Sequence, residues 1–332
     1  MTAFGKSDDG FYRKETGLYV KEILFNNHPM PLDEIFHLSL NNQGVFYYSP
    51  IVMLQSGAHT PITFLLTVVY ENGYEERLRL TRIPATRIEY QPANLEYHNG
   101  IPVVTLRVMG NPFASREGFW ADAHEDALRF ISFADELQDE PVIIVDIRSN
   151  LGGFPHPGLM WLYQLIDEVV PLNSITIGVQ DPDMLTWPDM DEEFWLYIPH
   201  DFCEKYIGCK HFDDLHSISG LIPDRIIANN QLFIFLIDRW TASAGEMFTD
   251  KAFNMENALI IGQNTMGALI NNANYQELYL PNSGFPFGLG RTTIIHPQGH
   301  LPEGVGLTPD IWVKGDALEA TLAMLDRHFY AE

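Results

Sequence analysis

The stretch Leu232-Phe-Ile-Phe-Leu-Ile-Asp-Arg-Trp-Thr-Ala-Ser243-Ala-Gly-Glu-Met-Phe248 decides how the rest of the chain is read. Its apolar run has no polar alternation, which predicts a strand buried on both faces. A short turn follows, and a serine flanked by small residues opens a helix. Ser243 would then stand at the tip of a rigid strand, unhindered, with the unpaired amides of its own helix beside it, which suits a nucleophile. A serine there also serves as an ordinary N-cap.

Outward from this stretch, strands and helices alternate. Ile101 to Val108, Pro141 to Ile147, Gln231 to Asp238 and Ala258 to Gly262 read as strands. Phe119 to Leu137, Leu159 to Val169, Ala244 to Phe253 and Asp316 to His328 read as helices. Continuous apolar strands separated by helices predict an α/β fold with a largely parallel sheet covered on both faces. Residues 17–83 look different, small and β-rich. Ile62 to Tyr70 and Glu76 to Arg82 form a hairpin around the turn Glu71-Asn72-Gly73, and Leu32 to Leu40 reads as one short helix. Residues 84–100 read as a linker, and about 171–230 as an acidic, aromatic insertion. The division expected is 1–95 for the β-rich region and linker, and 96–332 for the core.

Hydrophobic residues at 46% and aromatics at 12% describe a globular chain. A formal net charge of −24 opposes binding to nucleic acid or an anionic membrane surface. Cys203 and Cys209, the only cysteines, read as two ordinary thiols or a local disulfide and assemble no metal set; no metal and no cofactor are expected. The first residues have no apolar stretch of signal-peptide type, and no apolar run is long enough to span a bilayer. The chain as written is expected to be cytoplasmic, or exported if a front segment precedes it.

Asp146-Ile-Arg-Ser-Asn150-Leu-Gly152-Gly153 directly follows a buried strand. Two glycines there let backbone amides approach a ligand without a Cβ in the way, as an oxyanion requires. The same residues would also make a plain turn braced by an Asp146–Arg148 pair.

Together with Thr241-Ala-Ser243-Ala-Gly-Glu246, Ile261-Gly-Gln-Asn-Thr265-Met-Gly267 and Glu303-Gly-Val-Gly-Leu-Thr-Pro309-Asp-Ile311, this block resembles the C-terminal-processing and tricorn-type serine peptidases. The resemblance covers about residues 100–325, in the family's order. It implies a Clp-protease/crotonase-like core preceded by a small substrate-recognition region. It also implies that Ser243 is the nucleophile, and that Gly152 or Gly153 joins Ala244 in the oxyanion hole; the choice of glycine stays open. Where one branch of the family carries a lysine base, this chain has Ala268, and Lys251 reads as a solvated helix charge.

The tricorn-like branch uses a histidine with a supporting glutamate, and Glu303 matches the glutamate. Its histidine lies ahead of the recognition region, in a segment this chain is expected to lack. Two others stand as candidate bases. His59 sits in Gly57-Ala-His-Thr60, and His156 follows the Gly-Gly pair, where it otherwise reads as a surface loop histidine. A histidine base would make the rate rise near pH 6–7, roughly its ordinary range.

The function expected is a serine peptidase-like hydrolase acting on peptides or unfolded protein tails through an acyl-enzyme on Ser243. The alternative is a non-catalytic relative that binds peptides. A crotonase-like acyl transferase fits less well, since no basic patch awaits the phosphates of coenzyme A. Relatives of this fold often associate, so a homo-oligomer is within expectation.

Overall fold

The computed structural model describes residues 3–52, 63–81, 86–112, 121–168, 170, 175–178, 226–269, 276–289, 292–295 and 304–329. They form two compact units. One comprises Met1–Thr86, Ile261–Gln263 and Pro309–Glu332, the other Arg87–Ile260 and Asn264–Thr308. Among the described residues no helix is long and apolar enough to cross a membrane.

The first unit is mostly antiparallel. One set of strands runs in the order Gly10–Arg13, Phe4–Ser7, Phe46–Pro50, Phe36–Leu40 and Ile311–Val313, the last pairing in parallel with Phe36–Leu40. A separate four-stranded sheet runs His28–Met30, Val20–Phe25, Thr63–Tyr70, Glu75–Thr81. Phe4, Phe11, Ile23, Phe36, Leu66 and Tyr70 fill its core. Helix Ala317–His328 starts at Asp316, whose carboxylate accepts the Glu319 amide at 2.9 Å. Asn42 fastens to the same helix through the Glu319 carboxylate, at 3.0 Å.

One local reading changes in this unit. The apolar stretch 32–40 divides into a one-turn helix, Leu32–Ile35, and the strand Phe36–Leu40. Sheet pairing on both sides of that strand outweighs its modest helical preference. The Asn72-Gly73 hairpin has a three-residue loop. The Gly73 amide donates to Tyr70 and only Gly73 takes positive φ, the type I turn followed by a left-handed residue.

The second unit holds the α/β core. Leu232–Ile237, Val142–Asp146 and Ile101–Thr105 lie side by side in parallel, and Asn94–His98 closes that side as an antiparallel edge. That edge strand falls within the stretch read as a linker. Asn99 (φ 52°) and Gly100 (φ 84°) form a two-residue turn joining Asn94–His98 to Ile101–Thr105, so this Asn-Gly pair marks a hairpin.

Every residue of Val142–Asp146 is buried, as the unbroken apolar run predicts. Helices Ala121–Ser132, His156–Ile166 and Ala244–Asp250 meet over the central strands through Phe130, Trp161 and Phe248. Phe248 packs nearly perpendicular to Phe235, with centroids 5.3 Å apart. Each such aromatic side chain contributes roughly 1.5–3 kcal/mol by leaving water. This packing anchors the helix that begins at Ser243. The α/β class and the small antiparallel N-terminal sheet are as the sequence predicts.

Candidate active site

Ser243 stands between the strand Leu232–Ile237 and the helix Ala244–Asp250 with φ 51° and ψ −120°. This conformation is costly for a residue with a side chain, on the order of 1–3 kcal/mol, and persists only where the surroundings impose it. A sharp strand-to-helix turn of this kind lifts a nucleophile's hydroxyl clear of the backbone. Ser243 is half-buried, while Thr241, Ala242, Ala244, Gly245 and Glu246 around it are buried.

Three attachments impose the turn. The Ala242 amide donates to the Asn150 carbonyl at 2.8 Å, and the Thr241 hydroxyl donates to the Ile147 carbonyl at 3.0 Å. The third is Glu246, whose carboxylate accepts the Ser243 amide at 2.9 Å. That carboxylate is fully buried, and it also accepts the Thr265 hydroxyl (2.5 Å) and the amides of Gly267 and Ala268 (both 2.9 Å). Burial raises its pKa, and these four hydrogen bonds oppose the rise.

The second arm of the site is the turn after Val142–Asp146. Buried Asn150 donates to the Leu106 carbonyl at 2.9 Å and accepts the Gly152 amide at 2.9 Å. Ser149 donates to Asp238 through both its amide (2.8 Å) and its hydroxyl (2.9 Å). Asn150 and Asp238 thus join this turn to the serine turn from both sides. Gly152 (φ 95°) lies so close that a Cβ there would sit 2.6 Å from the Ser243 Cβ and 2.9 Å from the Ala244 nitrogen. Only glycine fits.

Gly153 makes a parallel bridge with Met109, through which Met109 donates to Gly152 and Phe154 donates to Met109. Its own amide is left on the opposite side. Among the described residues, the amides of Gly153 and Ala244 donate to no acceptor, whereas that of Gly152 is committed to Asn150.

Beneath this turn lies a buried cluster. Asp146 is gripped by Arg148 at 2.7 Å and Arg107 at 2.8 Å, and Arg107 also donates to the Arg148 carbonyl at 2.8 Å. Burial alone would raise the Asp146 pKa, but the two guanidiniums outweigh it and hold the carboxyl well below the usual carboxylate range. The Asp146–Arg148 pair read from the sequence is present. Arg107 was not foreseen, since its partner lies 39 residues away. Glu246 carried a signal in the Ser-x-x-Glu spacing of a capping box.

His156 is the first residue of the helix His156–Ile166 and is buried, so its reading as a surface loop residue is corrected. Burial lowers its pKa to about 4. Lys251 is likewise no solvated charge. It is buried, its Nζ donates to the Val170 carbonyl at 2.5 Å, and burial lowers its pKa to about 8. The short 3-10 turn Lys251–Asn254 after the helix turns this side chain inward. His59, Glu303, Cys203, Cys209 and most of the 171–230 insertion lie outside the described residues.

Comparison with known proteins gives this constellation a context. A family model described as peptidase family S41 matches residues 115–313. Among solved structures, mature CPAF is 13% identical over 98% of this chain and 80% of its own, with a TM-score of 0.45. A lipoprotein from Streptococcus agalactiae is 14% identical over 72% of this chain and 71% of its own, with a TM-score of 0.43. The photosystem II D1 C-terminal processing protease is 15% identical over 76% of this chain and 55% of its own, with a TM-score of 0.38. No curated protein sequence matches the chain.

Proposed function

Because the chain belongs to peptidase family S41, we propose that it is a serine peptidase that cleaves peptides or protein tails through an acyl-enzyme on Ser243. The observation that carries this reading is the strained Ser243 turn, with the uncommitted amides of Gly153 and Ala244 beside it.

In this reading the Ser243 Oγ adds to the scissile carbonyl carbon as its proton passes to a base. The carbonyl oxygen becomes an alkoxide, which the Gly153 and Ala244 amides stabilise. Gly152 brings the two turns together and spends its own amide on Asn150. Collapse of the intermediate breaks the C–N bond, the leaving amine takes up the proton, and water releases the acyl group by the reverse sequence. Amides fixed before reaction need no reorientation as charge develops; one such donor is typically worth ~10²–10³-fold in rate. The base is His156, His59 or another histidine, with Glu303 as support. General-base assistance typically adds ~10²–10⁴-fold, and a base titrating far below the working pH supplies less of it.

A second reading, a peptide-binding relative without turnover, is favoured by the weak basicity of His156 and by Ala268, whose amide is bound to Glu246. Labelling with a fluorophosphonate separates the two. The peptidase reading expects the intact chain to label and Ser243→Ala to stay blank. Two folded, unlabelled proteins would leave the binding reading.

A further inference from the structure

The four-stranded sheet of the first unit ends in a strand rich in arginine. Glu75–Thr81 pairs with Thr63–Tyr70 on one side and is outermost in the strand order, without a partner on its other side among the described residues. The hairpin determines which backbone groups point outward. The Tyr70 amide donates to the Tyr74 carbonyl, and bonded and non-bonded pairs alternate along an antiparallel ladder. Val68–Glu76, Leu66–Leu78 and Phe64–Leu80 are therefore the bonded pairs. The N–H and C=O groups of Glu75, Arg77, Arg79 and Thr81 face the open edge.

Side chains sort in the same register. Arg77 and Arg79 are exposed on one face, opposite Thr67 and the 57%-exposed Leu65, while Leu78 and Leu80 turn to the other. Glu76, on the Leu78 face, is engaged by Arg13 at 3.3 Å and by the Tyr70 hydroxyl at 2.5 Å, so it does not neutralise them. Glu75 shares the arginines' face at the turn end of the strand, and Glu22 lies beyond Val69 in the same row. Among the described residues neither Arg77 nor Arg79 has an ion-pair partner. In a chain of 44 acidic and 20 basic residues, this strand carries two of the basic ones, Arg77 and Arg79, two positions apart.

We propose that Glu75–Thr81 is a docking edge for an extended polypeptide segment that carries acidic side chains at alternate positions. The segment adds as a further strand, its main chain bonding the outward groups of Arg77 and Arg79. Residues directly opposite one another in a ladder project to the same face, so carboxylates two positions apart meet the two guanidiniums. The intervening positions turn toward Leu78 and Leu80 and are apolar. Identifying the segment as a substrate rests on the peptidase reading; the docking itself does not.

The test uses the full chain carrying Ser243→Ala, so that nothing is cleaved, and fluorescein-labelled peptides followed by fluorescence anisotropy. A peptide alternating glutamate with valine is expected to bind, more tightly than its glutamine counterpart and far more tightly than its lysine counterpart. Added salt should weaken it, as expected for exposed charges. Replacing both arginines (Arg77→Glu with Arg79→Glu) should cost roughly tenfold or more, whereas lysine at both positions should keep most of the binding. Methylating the nitrogens of the glutamates, which face the edge, should abolish binding, whereas methylating those of the valines should not. Amide exchange read by mass spectrometry should show new protection confined to 75–81. Equal binding of the three peptides, indifference to N-methylation, or protection appearing elsewhere would each overturn the proposal. Fluorophosphonate labelling of the wild-type serine plays no part in this binding, so either reading can fail without the other.

Discussion

Glu246 accepts the backbone amide of Ser243 at 2.9 Å while the same carboxylate holds Thr265, Gly267 and Ala268. One buried side chain therefore fastens the strained turn to a segment more than twenty positions further along. Glu246→Ala would leave several buried donors unmatched, at about 1–3 kcal/mol each where no water enters. The expected outcome is a fall in unfolding free energy of that order, read from urea melts, with fluorophosphonate labelling slowed at least tenfold. Glu246→Gln, which keeps the shape and one acceptor, should fall between.

Gly152→Ala is expected to fold less stably and to lose labelling. The new methyl would meet the Ser243 Cβ and the Ala242 carbonyl oxygen at 2.6 and 2.7 Å, and φ 95° is strained for alanine. Strain alone costs roughly 1–3 kcal/mol. Labelling at the wild-type rate would sink the close packing of these two turns as a requirement of the site.

His156 gives a pH test with a definite sign. Its pKa falls from 6.5 to about 4 on burial, so the unfolded chain binds the extra proton between those values. Stability is then full above pH 6.5 and lost as pH falls toward 4, at about 1.4 kcal/mol per unit. Urea melts at pH 7, 6 and 5 should show this slope, and His156→Asn should flatten it. If His156 is also the base, labelling should level off above about pH 4. A rise near pH 6–7 would exclude His156 and fit a histidine of ordinary basicity.

Lys251 carries a buried charge at neutral pH, its pKa lowered from 10.5 to about 8. Within that interval the unfolded chain holds the proton more tightly, so stability rises as pH climbs through it. Lys251→Met should remove that dependence and stabilise the protein by about 1–3 kcal/mol at pH 7, in line with apolar replacement of buried charge. Calorimetry at pH 7 and 9.5 on both proteins measures it, and a destabilised variant at pH 7 would argue that the bond to Val170 outweighs the charge.

What was legible in the sequence was local. The run from Leu232 to Phe248 announced strand, turn and helix because each depends on neighbours in the chain. The Asp146 block announced its close-approach glycines for the same reason. Long-range partners decided the rest. Phe36–Leu40 became a strand because sheet pairing on both sides claimed it. Asn94–His98 became an edge because Ile101–Thr105 lay ready to pair with it. Arg107 and Lys251 owe their roles to groups 39 and 81 positions away, which no local pattern encodes. Pro309–Glu332 follows the core in the chain yet groups with the N-terminal residues, which periodicity cannot reveal.

Asn150 makes the joined turns sensitive to the identity of one side-chain atom. Its side chain donates to Leu106 and accepts from Gly152, and its carbonyl accepts from Ala242. Asn150→Asp would change neither its size nor its outline. It would turn the Leu106 contact into two acceptors facing each other and place a new negative charge beside the serine turn. The turn depends on the direction of hydrogen bonds, so exchanging one nitrogen for oxygen would unsettle it while the outline of the side chain stayed the same.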